Sequence, residues 1–110
     1  MTTIRRDAIN YLPLNLTSDA TTTPGIPMRL AAGACVMVDS LDGATSLTFH
    51  VKEDAASTTA YELSDAAGQP IVQTLTAGIA FQLPTDTFAA GYIALATNAG
   101  TAVVRYSTKG

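Results

Sequence analysis

The chain reads as an all-β protein: a single antiparallel β-sandwich or jelly-roll-like domain with an extended N-terminal arm. Three observations predict this. Short segments of alternating apolar and polar residues recur about every 8–12 residues, each bounded by Gly, Pro, Asn or Asp, which is the spacing of a sandwich or barrel. Charged residues make up only 14% of the 110 residues, against about 25% in an average domain, while 19 Ala and 17 Thr carry much of the composition. No stretch keeps a helical period beyond two turns, and no internal repeat points to a solenoid or propeller.

The elements follow in order. In "YLPLNL" (11–16), Leu12, Leu14 and Leu16 recur at a spacing of two, which makes one apolar edge on an extended segment. Pro13 has no N–H to give to a ladder, so this is an edge or docking strand. "TSDATTTPGIP" (17–27) has neither helix nor strand period. Residues 1–27 therefore read as an arm and linker, able to span about 90 Å at ~3.3 Å per residue, and residues 28–110 as the β domain. In "ACVMV" (34–38) an apolar run suits a strand buried on both faces. "DSLDGATS" (39–46) holds Asp42-Gly43, a favoured tight-turn pair. "LTFHV" (47–51) alternates, with Leu47, Phe49 and Val51 on one face and Thr48 and His50 on the other. "TAYEL" (59–63), "IVQTL" (71–75) and "IAFQL" (79–83) are further strands, the last with Ile79, Phe81 and Leu83 facing inward. "PTDTFAAG" (84–91) is a loop with one helical turn. "YIALA" (92–96) and "TAVVRYS" (101–107) close the chain across a turn containing Asn98 and Gly100.

Charge and cysteine content narrow the function. Six Lys and Arg against nine Asp and Glu give a net charge of −3 and a pI near 4.7. The only adjacent basic pair, Arg5-Arg6, is followed at once by Asp7, so no basic stripe for nucleic acid exists. Apolar runs of about five residues fall far below the roughly 20 needed to span a bilayer, and no secretory leader is apparent. Cys35 is the sole cysteine, which excludes an internal disulfide framework and agrees with synthesis in a reducing cytoplasm.

The search for chemistry is short. His50 is the one histidine and reads as a solvent-facing strand residue rather than a catalytic base. Cys35, in an apolar run, reads as a small core hydrophobe. One Cys and one His do not make a zinc site. Asp39, Asp42, Asp54, Asp65 and Asp86 fall in predicted loops, where Asp stabilises turns through its own backbone; the spaced ligand run of a calcium loop is missing. No phosphate-binding glycine motif occurs, and Asn15-Leu16-Thr17 matches a glycosylation sequon only by pattern. Expected are no catalytic residues, no cofactor and no metal. Tyr61, Tyr92 and Tyr106 decide a carbohydrate-binding alternative: inward rings favour a plain structural domain, an exposed cluster favours sugar stacking.

Residues 47–110 resemble small virion proteins of tailed bacteriophages. The resemblance rests on a strand, polar loop and strand with Tyr, then Thr74 to Pro84 ("TLTAGIAFQLP"), Phe88 to Leu95 ("FAAGYIAL") and a final strand from Val103 to Gly110. It implies a non-enzymatic structural protein, a capsid decoration or cement protein on the head surface, with a tail, baseplate or vertex protein or an adhesin-like module as alternatives. Its partners would be itself, as a trimer, and the major capsid protein or another virion protein, with no nucleic acid and no membrane. Arg29, Arg105 and acidic residues would form a sparse rim of ion pairs. Tyr11, Leu12, Leu14 and Leu16 would bind a partner by adding a strand to a neighbouring sheet edge. On this reading, deleting residues 1–16 abolishes attachment and leaves the β domain folded.

Overall fold

A computed structural model describes residues 11–28 and 33–109. Among the described residues there are nine strands: β1 (Leu12–Leu16), β2 (Ile26–Pro27), β3 (Gly33–Asp42), β4 (Ser46–Lys52), β5 (Tyr61–Glu62), β6 (Val72–Thr74), β7 (Ala80–Gln82), β8 (Tyr92–Thr97) and β9 (Thr101–Lys109). They form two antiparallel sheets. One has the order β1-β9-β3-β7; the other has β2-β8-β4, with β5 and β6 sharing the far edge of β4.

The pairing is nested. β1 pairs with β9, β2 with β8, β3 with β7, and β4 with β5 and β6. The chain thus runs out through β1–β4 and returns through β5–β9 as one long antiparallel ribbon. Folding that ribbon over places the first and third pairs in one sheet and the second and fourth in the other. This is the jelly-roll arrangement, and it makes the sandwich expected from the sequence specific.

Alternation builds the core. Val36 and Val38 of β3, Leu47 and Phe49 of β4, Ile93 and Leu95 of β8, and Ala102 and Val104 of β9 face one another across the sheets and are buried. β3 then continues through residues expected as a turn. A β-bulge shifts its register between Val38 and Ser40. The extra residue flips the phase, so that Leu41, three positions after Val38, again packs on the core. The turn itself is confined to Gly43–Thr45, with Gly43 at φ 83°. Asn98 ties this corner to the β8–β9 turn: its Oδ1 accepts from Thr45 N at 3.0 Å and Ser46 N at 3.2 Å, and its Nδ2 donates to Thr45 Oγ1. Gly100, at φ 63°, lies so close to Asp42 that a Cβ there would run into the Asp42 carbonyl oxygen.

The N-terminal segment is extended, and its extension runs along β9 of its own chain. Leu12 stands opposite Tyr106, Leu14 opposite Val104 and Leu16 opposite Ala102. Leu14 and Leu16 belong to the main core. The following segment also lies on the domain. Thr97 N donates to Thr17 O and Gly25 N to Ala55 O, while Ala20 packs against Ala94 and Ala96 on the outer face of β8. Residues 11–27 are therefore part of the folded unit, and residues 1–10 of the expected arm lie outside the described residues.

Candidate functional site

Two of the four residues expected to bind a partner are spent within the chain: Leu14 and Leu16 are buried. Tyr11 and Leu12 remain at the surface, Leu12 at 50% exposure. Among the described residues β1 is an edge strand, with β9 on one side only, so its other side offers main-chain groups to a further strand, interrupted at Pro13.

The candidate catalytic side chains do not converge. His50 lies on the outer face of the second sheet, half-buried, with Nε2 2.9 Å from Thr48 Oγ1. Burial pulls its imidazole below the ordinary 6.5, and Glu62, opposite it on β5, acts in the other sense. Cys35 is not a core residue. Val36 and Val38 take the inward positions of β3, which leaves Cys35 and Met37 half-buried on the outer face of the first sheet, opposite Gln82 and Ala80. The only histidine and the only cysteine thus stand on different sheets, both facing outward.

Two of the five aspartates expected in loops lie elsewhere: Asp39 and Asp42 are in β3, while Asp86 is in the 3-10 turn over Thr85–Ala89. The bulge presents Asp39 to Arg105, which binds it with two hydrogen bonds, Nε to Oδ2 at 2.8 Å and Nη2 to Oδ1 at 2.9 Å. These bonds hold the Asp39 carboxyl below its ordinary range. Arg29, the other expected rim residue, lies outside the described residues. Asp54 and Asp65 do organise turns: Asp54 Oδ1 accepts from Ala56 N, and Asp65 Oδ1 from Ala67 N and Gln69 N. Among the described residues no group of three His, Cys, Asp or Glu stands close enough to hold a metal ion, and no helix is long and apolar enough to cross a membrane.

The tyrosines do not cluster. Tyr106 packs on the core, and burial raises its hydroxyl pKa. Tyr92 is half-buried between Pro27 and Lys52 of the flanking strands. Tyr61, 65% exposed, lies on β5, separated by β4 from Tyr92 on β8 and in a different sheet from Tyr106.

One feature had no signal in the sequence. Lys52 occupies an outward position of β4, where alternation predicts solvent, yet it is 3% exposed. The 17–25 segment covers it, and its Nζ donates to Thr23 O at 2.9 Å. The small outward pair Ala94 and Ala96 on the neighbouring strand gives that segment room to lie close. A hollow of about 370 Å³ opens beside Lys52, between Thr21–Pro24 and Ala55-Ala56.

No family model, curated protein or solved structure matches the chain.

Proposed function

We propose that this chain is a structural protein of a tailed-bacteriophage virion: a capsid decoration protein that stabilises the head by bridging neighbouring shell subunits, acting as a homotrimer. The observation that carries this reading is the nested jelly-roll pairing. It is an architecture of viral shell domains, shared with lectins, and it supports the reading by analogy of fold. The resemblance of residues 47–110 to small virion proteins adds to it. The chemistry agrees, since Asn98, Asp54, Asp65 and Asp39 are engaged in a corner tie, turns and a surface ion pair. The open side of β1, flanked by Tyr11 and Leu12, is the surface we assign to a neighbouring subunit, through main-chain pairing.

The experiment has two parts. Light scattering of the purified chain at a few micromolar should give three times the 11.4 kDa chain mass; a clean monomer overturns the trimer. An antibody raised against the chain should then decorate the heads of virus particles sedimented from the source culture. Label on tails would move the protein to the tail or baseplate, and a chain found only in the soluble fraction would overturn the virion assignment.

A further inference from the structure

We propose that the open edge of β1 docks on the open edge of β7 in a second copy of this chain, head to tail, with Leu12 of one copy against Phe81 of the next. The proposal rests on the homotrimer proposed above. A ring of three needs two different contact surfaces on each copy, because a patch that meets its own image closes as a dimer. β1 supplies one surface, so the other belongs to a different part of the chain.

Alternation fixes which main-chain groups face outward. Leu83 N donates to Ala34 O and Val38 N to Ile79 O. Ala34, Val36 and Val38 therefore turn their main chain to β7, and Cys35 and Met37 turn theirs to β9. The register with β9 then directs Val104 and Tyr106 to β1, where they meet Leu14 and Leu12. This leaves Tyr11, Pro13 and Asn15 on the open side of β1, and Ala80 and Gln82 on that of β7. All of them are exposed. β1 thus offers carbonyls throughout but no N–H at Pro13, whereas β7 offers both groups at both positions.

The other sheet edges among the described residues are blocked. Met28 N donates to Gly91 O, which leaves Pro27 as the outward residue of β2, with no donor. Leu63 N donates to Phe49 O, which leaves the charged Glu62 outward on β5. On β6, Leu75 N donates to Thr45 O, so Thr74 faces outward. Its carbonyl already accepts from Gln73 Nε2 at 2.9 Å.

Side chains choose the register. Leu12, Tyr106, Val36 and Phe81 stand opposite one another across the first sheet, all on its core side. Leu12 ends that row 50% exposed, and Phe81 ends it half-buried. Setting Leu12 of one copy opposite Phe81 of the next continues the row and covers Leu12. The two strands then run antiparallel, and Ala80 meets Pro13 while Gln82 meets Tyr11. Ala80 N donates to Pro13 O, Gln82 N to Tyr11 O and Tyr11 N to Gln82 O; only the Ala80 carbonyl is left to water. Residues 11–16 and 79–83 carry no charge, so acidic copies meet there without repulsion.

The test is light scattering over a dilution series of the full chain and two variants, with circular dichroism to report folding. The Ala80 N–H points away from β3, so Ala80→Pro removes no hydrogen bond within the chain. It should give a folded monomer where the parent is a trimer. Pro13→Ala supplies the missing donor to Ala80 O and should move trimer dissociation to concentrations about fivefold lower. If Ala80→Pro does not fold, the Pro13→Ala shift alone decides. A folded Ala80→Pro trimer, or a Pro13→Ala chain that dissociates at the parent's concentration, overturns the pairing with β7 and leaves the homotrimer standing. A monomeric parent overturns both.

Discussion

Burial disfavours the protonated form of His50, and this sets a pH dependence with a definite sign. Burial lowers its folded pKa beneath the ordinary 6.5, whereas the unfolded ring titrates at its usual value. Between those two values the unfolded chain binds more protons, so stability rises with pH. The contribution is complete above about pH 6.5 and is lost as pH falls toward the folded value. Urea unfolding should therefore give a lower midpoint at about pH 5 than at about pH 7.5, and His50→Gln should narrow that difference. Asp39 acts in a lower window. Its carboxyl is depressed by Arg105, so its contribution is present above the ordinary carboxylate value of 3.8 and disappears as pH falls through the folded one. Both partners are solvent-exposed, where ion pairs add little stability, so the sensitive readout is the titration itself. In Arg105→Gln the Asp39 carboxyl resonance should titrate closer to the ordinary value; an unchanged midpoint would mean that the two hydrogen bonds do not hold it.

At the scale of elements, β1 is the strand whose role the structure changes most. The sequence reading expects a fold that survives deletion of residues 1–16, whereas β1 covers one edge of β9 and lends Leu14 and Leu16 to the core. Leu16→Ala should cost about 2–5 kcal/mol by urea denaturation, and deleting residues 1–16 should unfold the domain or lower its melting temperature sharply. A truncated chain as stable as the parent would show that β1 is dispensable. The leucine spacing made an extended strand with one apolar edge legible, but periodicity carries no address, and the sheet that receives the edge is the chain's own. β4 was legible over residues 47–51, all but its two end residues, because Leu47, Phe49 and Val51 alternate without interruption. The far end of β3 was not, because the bulge at Asp39 breaks the alternation that announces a strand. β2, at two residues, is too short to show any period, while β5 and β6 fall inside the strands expected over 59–63 and 71–75 but are only two and three residues long. The Lys52 hollow was invisible for a related reason: the segment that buries Lys52 comes from a different part of the chain, across the face of a sheet.

For the molecule as a whole, the sandwich, its antiparallel character and its aliphatic core follow from strand spacing and composition, while the strand order depends on contacts between opposite ends of the chain. The nested pairing has a consequence in time. β4 finds β5 and β6 close by in sequence, but β1 must wait for β9, nearly the whole chain later. β9 also lies between β1 and β3, so the first sheet has no centre until this ninth strand is available. Closing such large loops is slow, and refolding should take about milliseconds to seconds rather than microseconds. During synthesis the domain should stay protease-sensitive until β9 has cleared the ribosome exit tunnel. Pulse proteolysis of stalled nascent chains checks this: protection acquired before β9 emerges would show that the sheet can close without its central strand. A domain wound in this way takes its shape only once its ninth strand has emerged.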